Sequence, residues 1–388
     1  MTAPPATAAP ADASVTRALR RATLPDGRID VSSLDQPTLV HAMAPLGRAE
    51  HHARQVFKRT WKRGMTDFSE CAEITRASRD WLTAHMALPV LASHARLASD
   101  DGTTKYLWRL ADGSTIESVL IPDEDRPGPN PPRYTLCVST QVGCAMACSF
   151  CLTGDLGLKR NLTAGEIARQ VLQVQQDMPP GRRVTNVVLM GMGEPLHNYD
   201  NLLMAMRTWL DEDGINLSHR RITVSTVGLV PRLQRLAQDL PVNIAISLNA
   251  STEAQRRQVM PVTLKYSLAE LMDACRTLPL PNGKRITFEY VMMAGFNDSL
   301  DDAARVEALV DGIPAKINLI PYNENPDRDI RRPSDARVKA FQHRLVSRGV
   351  HCSIRTTRGR DISAACGQLG KAAEVMAKRL AGASPPPR

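Results

Sequence analysis

Short apolar runs rich in β-branched residues alternate with helical patterns from Tyr134 onward. The runs that predict strands are YTLCVS, VTNVVLMGM, RRITVST, VNIAISL, RITFEYVMM and AKINLIPYN. Segments such as AGEIARQVLQVQQ and LAELMDACRTL between them have helical spacing. Six such β/α repeats predict a parallel sheet, either open and doubly wound or closed into a complete or partial barrel. Active sites lie at the carboxyl ends of such strands, so the polar residues after the runs are candidates: Gly193, Glu194, Ser225, Ser247, Asn249 and Asn323.

The chain before Tyr134 has a different pattern. From Leu34 to about Leu91, apolar positions recur at helical spacing, which predicts a small helical domain. Residues 104–121 alternate around Asp112 and Gly113, the pattern of a β-hairpin. We therefore divide the chain into a disordered tail (1–33), a helical domain (34–98), a hairpin linker (99–126), a core domain (127–376) and a second tail (377–388).

Composition narrows the functional classes. A hydrophobic content of 43% in 388 residues is normal for a globular protein. No membrane helix or secretion signal is evident, so we expect a cytoplasmic protein without a membrane partner. The net charge of +9 favours polyanionic partners such as nucleic acid. A basic run with aromatic residues between its cations is a candidate RNA surface, although by itself such a run is more often a solvated helix face: Arg48, Arg54, Phe57, Lys58, Arg59, Trp61, Lys62 and Arg63.

Cysteines are concentrated after the first core strand. Cys144, Cys148 and Cys151 form C-x3-C-x2-C, a spacing that lets one loop hold three corners of a [4Fe–4S] cluster and leaves the fourth iron open. A zinc site with Cys137 as fourth ligand is the alternative, but a second C-x2-C-like arm is missing. The cysteines at 71, 275 and 352 lie in apolar patterns and are predicted to be core residues.

MGMGEPL at 190–196 is weak evidence as a bare pattern, because a G-x-G at a strand end is commonly a turn. Leu196 stands where a dinucleotide-binding fingerprint has its third glycine, which excludes that motif.

The cysteine motif after the first strand of a six-fold β/α array resembles the radical S-adenosylmethionine (SAM) enzymes. CVSTQVGC, INLIPYN and TRGRDISAACGQLG, together with RQVFKRTWKRG, are similar to the radical-SAM RNA adenine-C2 methyltransferases over residues 34–376. The resemblance implies a partial (β/α)6 barrel, a cluster on the three cysteines, and SAM bound to the open iron. It also implies SAM contacts from Gly193, Glu194, Ser225, Ser247, Leu248, Asn249 and Asn323. Asn249 departs from members that have His there, and RPGPNPPRY at 126–134 resembles an insertion.

The same resemblance implies an activity: methylation of C2 of an adenine in 23S rRNA and of an adenine in tRNA, with two SAM molecules. Cys366 matches the methyl carrier, Cys137 the thiol that releases the product as a disulfide forms, and Glu117 the base. A monomer with flavodoxin or ferredoxin as electron donor is expected. The alternatives are the related adenine-C8 methyltransferase, to which GEPL, NLIPYN and TRGRDI are less similar, and a non-catalytic zinc-dependent RNA-binding protein.

Overall fold

The computed structural model describes residues 13–124, 131–325 and 328–370. Its helices are α1 (Ala13–Ala22), α2 (Gln36–Ala42), α3 (Ala49–Lys58), α4 (Arg76–His85), α5 (Leu152–Asp155), α6 (Ala164–Asp177), α7 (Tyr199–Leu210), α8 (Val230–Asp239), α9 (Glu253–Val259), α10 (Leu268–Thr277), α11 (Leu300–Val310) and α12 (Asp335–Val346). In this part of the chain, no helix has the length and apolar character of a membrane-spanning segment.

The strands are β1 (Ile29–Asp30), β2 (Met86–Ala87), β3 (Ala92–Ala98), β4 (Thr104–Arg109), β5 (Thr115–Asp123), β6 (Arg133–Cys137), β7 (Gln141–Gly143), β8 (Leu158–Asn161), β9 (Asn186–Leu189), β10 (Ile222–Thr226), β11 (Asn243–Ser247), β12 (Ile286–Met292), β13 (Ala315–Pro321) and β14 (Cys352–Ile354). The chain forms two compact units. Of the described residues, the helical unit comprises 13–91, 162–183 and 200–218, and the sheet unit comprises the others.

The helical unit includes residues that the sequence assigned to a tail. Helix α1 buries Ala18 and Ala22, and Val31 is completely buried. Ser33 Oγ accepts a hydrogen bond from the Gly165 N–H at 2.9 Å. The predicted tail at 1–33 is therefore wrong for residues 13–33, because small alanine side chains form the packed face there. Residues 1–12 lie outside the described residues, as do 371–388.

The helical unit also differs from the predicted domain at 34–98 because its chain is not continuous. Helix α6 and most of α7, which the sequence placed in the core domain, belong to it. A capping box begins α6: Thr163 Oγ1 accepts from the Glu166 N–H, and the Glu166 carboxylate accepts from the Thr163 N–H.

The sheet unit confirms the predicted fold class. Within the described residues, ten strands form one open sheet in the order β14-β13-β12-β11-β10-β9-β6-β5-β4-β3. The strands from β6 through β9 to β14 are parallel, and they include all six strands that the sequence predicts. The sequence did not predict strand β14, because three residues are too short to give a recognisable pattern. The register aligns Thr226 with Ile246 and Ser247 with Glu289, so neighbouring strands end at one edge.

The predicted hairpin is present, but it is not a separate linker. Gly113 has φ 81° in the turn, and the Leu110 N–H donates to the Ser114 carbonyl at 2.8 Å. Strands β3, β4 and β5 pair antiparallel and continue onto β6, so the hairpin extends the main sheet. Residues 126–130 of the predicted insertion lie outside the described residues, whereas Arg133 and Tyr134 begin β6.

Candidate active site

A cavity of about 160 Å³ lies at the carboxyl ends of the parallel strands. Most of the predicted site residues line it: Cys144, Cys148, Cys151, Gly193, Glu194, Ser225, Ser247, Asn249, Asn323 and Cys366. The parallel sheet explains this convergence, since equivalent ends of neighbouring strands meet at one edge. Cys137, Leu248 and Glu117 are not among the lining residues.

The cysteine loop follows β7 and turns sharply before its second thiol. Ala147 has φ 49°, in the left-handed region that few side chains adopt. The Cys144 N–H donates to the Gly157 carbonyl at 2.9 Å, and the Cys151 N–H donates to the Cys148 carbonyl at 3.0 Å. These bonds set the conformation of the loop before any ligand binds.

Two distant segments also hold the loop. The Ser149 N–H donates to the Val259 carbonyl at the end of α9, at 3.0 Å. The Leu152 N–H donates to the Gly367 carbonyl at 2.8 Å, which places the loop against the segment that carries Cys366.

The three thiols of the loop are poor acids in this environment. Burial raises the pKa of Cys144 to about 12 and raises the pKa values of Cys148 and Cys151 above the ordinary thiol value. For Cys148, the charges of Cys151 and Cys144 raise the pKa further. The thiols are therefore protonated until a metal displaces the protons, as is usual for cysteine metal sites.

Glycine is required where the backbone after β9 borders the cavity. A Cβ at Gly191 would lie 2.7 Å from Ser139 Oγ and from the Val138 backbone. Gly193 has φ 99°, and a Cβ there would lie 2.5 Å from the Cβ of Gln141. The G-x-G thus brings the backbone close to the cavity, which the turn pattern alone did not show.

The Glu194 carboxylate binds protein groups. Its Oε1 accepts from the Thr226 hydroxyl at 2.7 Å and from the Leu196 N–H at 3.0 Å, and its Oε2 accepts from the Val227 N–H at 2.9 Å. Burial raises the pKa of Glu194 to about 7, although these donors favour the charged form. The carboxylate therefore ties the end of β9 to the end of β10.

Asn249 is also held by protein contacts. It is buried with φ 56°, a left-handed conformation that Asn tolerates well. Its Oδ1 accepts from the Val291 N–H at 2.9 Å. Leu248 is completely buried, and its N–H donates to the Glu289 carbonyl at 3.0 Å. The leucine side chain is part of the core, and the SAM contact expected of Leu248 stays a prediction.

Asn323 connects the end of β13 to the segment that carries Cys366. Its Nδ2 donates to the Cys366 carbonyl at 3.1 Å, and its Oδ1 accepts from the Thr357 hydroxyl at 3.1 Å. Ser225 and Ser247 end β10 and β11 as half-buried lining residues.

Cys137 lies close enough to Cys366 for their charges to interact. Burial raises the pKa of Cys137 to about 12, and the charge of Cys366 adds to this, while Arg355 acts in the opposite direction. Both cysteines are free thiols. Two residues far apart in sequence thus interact electrostatically, and of the two Cys366 lines the cavity.

Arg355 and Glu289 are site residues that the sequence did not indicate. Arg355 lines the cavity, and the charges of Cys366, Glu289 and Cys137 raise its pKa. Burial raises the pKa of Glu289, whose Oε2 accepts from Asn318 Nδ2 at 2.7 Å. Arg355 follows the three-residue β14, so its only sequence signal was its place two residues before TRGRDI.

A second cavity, of about 570 Å³, adjoins the same residues. Glu289, Asn323, Arg355 and Cys366 line both cavities. Alternate residues of the sheet form much of its wall, including Thr135, Asn186, Thr223, Thr287 and Lys316. Their polar character fits a hydrophilic ligand.

Glu117 lies elsewhere, beside a cavity of about 100 Å³ that Gly143, Met192 and Gly370 also line. It is buried, its Oε2 is 3.3 Å from Lys105 Nζ, and its Oε1 accepts from the Gly370 N–H at 2.9 Å. Glu117 alone would be expected to be a solvated surface acid, and the buried ion pair corrects that expectation.

The basic run forms α3 and a π-helical turn, Arg59–Arg63, in the helical unit. Phe57 and Trp61 are 0% and 1% exposed, so these rings belong to the core and are not available for base stacking. Arg54 Nε lies 2.7 Å from Asp213 Oδ2, and Lys58 Nζ lies 3.8 Å from the other Asp213 oxygen. Arg59 pairs with Glu73. Part of the positive charge is therefore matched by acids within this unit.

Within the described residues, no group of three or more His, Cys, Asp or Glu side chains is arranged to hold one metal ion. The proposed zinc site with Cys137 requires such an arrangement. The predicted core cysteines are buried, as expected: Cys71, Cys275 and Cys352.

A three-cysteine loop at the carboxyl edge of a parallel β/α sheet defines the radical SAM class of enzymes, and the Radical SAM superfamily matches residues 138–306. A crystal structure of a radical SAM methyltransferase from Sphaerobacter thermophilus has 40% sequence identity and a TM-score of 0.80, covering 87% of this chain and 98% of that chain.

Curated relatives identify a family within the radical SAM class. The dual-specificity RNA methyltransferase RlmN of Geobacter sulfurreducens is 48% identical over 344 residues, 89% of this chain and 92% of the relative. RlmN 2 of Myxococcus xanthus is 47% identical over 363 residues, 92% of this chain and 94% of the relative. The chain belongs to the RlmN family of radical SAM RNA methyltransferases.

The family implies SAM and a [4Fe–4S] cluster, and the residues present fit both. Three soft thiol donors of one preformed loop line one cavity, and a cubane cluster takes one thiolate at each of three irons. The close-approaching backbone at Gly193 and the serines at the ends of β10 and β11 supply polar contacts suited to an amino acid moiety.

Proposed function

We propose that this protein methylates C2 of a specific adenine in 23S rRNA, and of an adenine in tRNA, through an S-methylcysteine at Cys366. The observation that carries the proposal is that Cys366 lines the cavity of the cysteine loop, where SAM would bind, together with Cys144, Cys148 and Cys151. The Leu152 N–H of that loop donates to the carbonyl of Gly367, the residue after Cys366, at 2.8 Å.

In this proposal Cys144, Cys148 and Cys151 hold the cluster, and Gly193, Glu194, Ser225, Ser247, Asn249 and Asn323 surround SAM, with Leu248 behind them. When bound, the cluster and SAM supply a 5′-deoxyadenosyl radical. For Glu194 and Asn249, the hydrogen bonds of the side chains to Val227 and Val291 favour a supporting role, with backbone groups facing SAM.

Cys366 has two tasks. Its thiolate would accept the methyl group of one SAM, which leaves as S-adenosylhomocysteine. The S-methyl group would then lose a hydrogen atom to the 5′-deoxyadenosyl radical derived from a second SAM, and its carbon would bond to adenine C2. Asn323 holds the Cys366 backbone, and Arg355 lines the same cavity as Cys366. The polar second cavity, which Cys366 also lines, offers room for the adenine.

Cys137 releases the product. Its sulfur attacks the sulfur of Cys366, and a Cys137–Cys366 disulfide forms as the bond between that sulfur and the methylene carbon breaks. The electron pair of the broken bond passes to the adenine-bound carbon, which takes up a proton and becomes the product methyl group. The raised pKa of Cys137 keeps it a thiol until that step. This protects the resolving cysteine from accepting a methyl group itself, because the thiolate is the nucleophile.

Glu117 is proposed as the base that removes the C2 proton. Its carboxylate accepts from the Gly370 N–H and pairs with Lys105. Acting on adenine therefore requires the segment at 367–370 to move away from Glu117.

The remaining partners follow from the same proposal. RNA binds the exposed cations of the helical unit, of which Arg48, Lys62 and Arg63 extend from α3 and its π-helical turn. A flavodoxin or ferredoxin supplies electrons, and the reaction takes place in the cytoplasm, where the protein acts as a monomer. The names of the relatives describe them as dual-specificity RNA methyltransferases, which supports both RNA substrates.

Anaerobic reaction of the reconstituted protein with 23S rRNA fragments and with tRNA, followed by mass spectrometry of the nucleosides, tests the proposal. We expect 2-methyladenosine from both RNAs in the presence of SAM and a reductant. 8-Methyladenosine would assign the chain to the C8 activity, and methylation of rRNA alone would remove tRNA from the substrates.

A further inference from the structure

Arg256 of α9 is a completely buried cation behind the active-site edge of the sheet. Its guanidinium donates four hydrogen bonds: Nε to the Leu248 carbonyl at 3.2 Å, Nη1 to Thr263 Oγ1 at 2.9 Å, and Nη2 to the carbonyls of Val227 at 2.6 Å and Ser247 at 3.2 Å. All four acceptors are uncharged. The residue thus binds the chain just after β10 and at the end of β11.

The charge of Arg256 has no acid partner in direct contact. Across the described residues, no carboxylate forms an ion pair with it, and Glu253 of the same helix pairs with the exposed Arg257 at 3.0 Å. Burial lowers the pKa of Arg256 to about 10, so it is a cation at neutral pH. Burying a charge without a counter-ion costs several kcal/mol, on the order of the whole stability of a small domain.

The cysteine loop contacts α9. The Ser149 N–H of this loop donates to the Val259 carbonyl of α9, three residues beyond Arg256. Met260 then lines the same cavity as Cys148, and so do Val227 and Ser247, whose carbonyls accept hydrogen bonds from Arg256.

We propose that Arg256 is the internal counter-charge of the cluster held by Cys144, Cys148 and Cys151, and that it raises the reduction potential of this cluster. The inference rests on the cluster assignment of the proposed function and is independent of the RNA substrate. Reduction adds one electron, and hence one negative charge, to a cluster that three thiolates already make anionic. A buried cation stabilises that added charge with little solvent screening.

The test compares Arg256→Gln, Arg256→Met and Arg256→Lys with the parent and with Arg257→Gln. Arg257 is the matched control because it lies on the same helix but is exposed and paired with Glu253. Each protein is reconstituted anaerobically without RNA, its iron and sulfide are counted, and its cluster is titrated with dithionite by electron paramagnetic resonance. We expect the Gln and Met variants to keep their iron and to become reduced only at a more negative potential. Arg256→Lys should lie closer to the parent, and Arg257→Gln should match it.

Full iron content with the parent potential in both neutral variants would overturn the proposal. So would an equal shift in Arg257→Gln, or folded neutral variants that bind no iron. If both neutral variants fail to fold while Arg256→Lys folds, the charge serves folding and the proposal is also wrong. A parent protein that binds no cluster would instead overturn the proposed function.

Discussion

Lys105 Nζ lies 3.3 Å from Glu117 Oε2, and the two side chains are 1% and 2% exposed. Strands β4 and β5 hold this pair within the antiparallel part of the sheet. The Lys105 ammonium also donates to the Ser363 carbonyl at 3.1 Å, and Glu117 accepts from Gly370. The two side chains of this buried ion pair therefore hydrogen-bond the segment that carries Cys366 at two residues, Ser363 and Gly370.

Removing only one charge of this pair should be costly. We expect Lys105→Met to lower the free energy of unfolding by about 3–5 kcal/mol, because it leaves a buried carboxylate without its cation. The double variant Lys105→Met/Glu117→Gln should recover much of that loss. Urea denaturation measures the three proteins, with Arg109→Met, an exposed position on β4, as the control. A double variant no more stable than Lys105→Met would show that the two charges are not coupled.

Each cysteine of the loop should be essential for iron binding but not for folding. Replacing Cys144, Cys148 or Cys151 by Ala removes one of three thiolates, so we expect loss of most of the iron after reconstitution with an unchanged circular dichroism spectrum. Cys275→Ala is the matched control because Cys275 is buried in α10. Full iron content in any loop variant would remove that residue from the ligand set.

The two catalytic thiols should fail in different ways. Cys366→Ala should accept no methyl group from labelled SAM and form no RNA adduct, since both steps use its sulfur. Cys137→Ala should become methylated, attack the RNA and then stall, which gives a covalent protein–RNA species that nuclease removes. Gel electrophoresis detects the adduct. Normal turnover by Cys137→Ala would mean that the two roles are assigned wrongly.

Asp302 should contribute to stability in a pH-dependent manner. Burial alone would raise its pKa, but hydrogen bonds from Ser251, Ser299 and Gln255 outweigh burial and hold the pKa at about 2. Because the folded pKa is below the ordinary value, the stabilisation is present above about pH 4 and is lost as the pH falls through about 2.

We therefore expect Asp302→Asn to lower the free energy of unfolding by about 2 kcal/mol at pH 7 and by less near pH 3. Asp301→Asn, its exposed neighbour on α11, should change stability by less than about 0.5 kcal/mol. Denaturation at both pH values measures the free energy of unfolding of these variants. An equal loss of stability in Asp302→Asn at pH 7 and pH 3 would contradict the coupling between folding and the protonation of Asp302.

RNA affinity should depend on the cations that follow α3. Replacing Lys62 and Arg63 together by Ala should weaken RNA binding and reduce its salt slope by about two, since each phosphate contact releases counterions. The exposed Arg337 and Lys339 of α12 in the sheet unit, both replaced by Ala, provide a control with the same change of net charge. Filter binding at several salt concentrations measures the RNA affinity of both proteins. Equal salt slopes for the two proteins would show that the RNA-binding surface lies elsewhere.

Local patterns predicted the strands of the parallel sheet because each has a run of β-branched residues long enough to recognise. Convergence of the strand ends then followed from the parallel arrangement, which is why most candidate residues lie in one cavity. The sequence could not show that the Glu194 carboxylate bonds to Thr226 and Val227, because those partners are set by tertiary packing. The sequence also failed to show that Phe57 and Trp61 are core residues. The order of cations and aromatic residues along the chain is the same whether the rings face the core or the solvent.

The bond between the Leu152 N–H and the Gly367 carbonyl has a consequence for biosynthesis. A ribosome completes the cysteine loop, and every strand of the sheet, before it makes Cys366. Chains fold as they emerge, so the loop forms first without the residues that later pack against it. Under the proposed roles, a chain interrupted after β14 would carry all three iron ligands but no methyl acceptor. Premature termination would then leave the proposed cluster ligands in a protein that lacks the residue proposed to carry the methyl group.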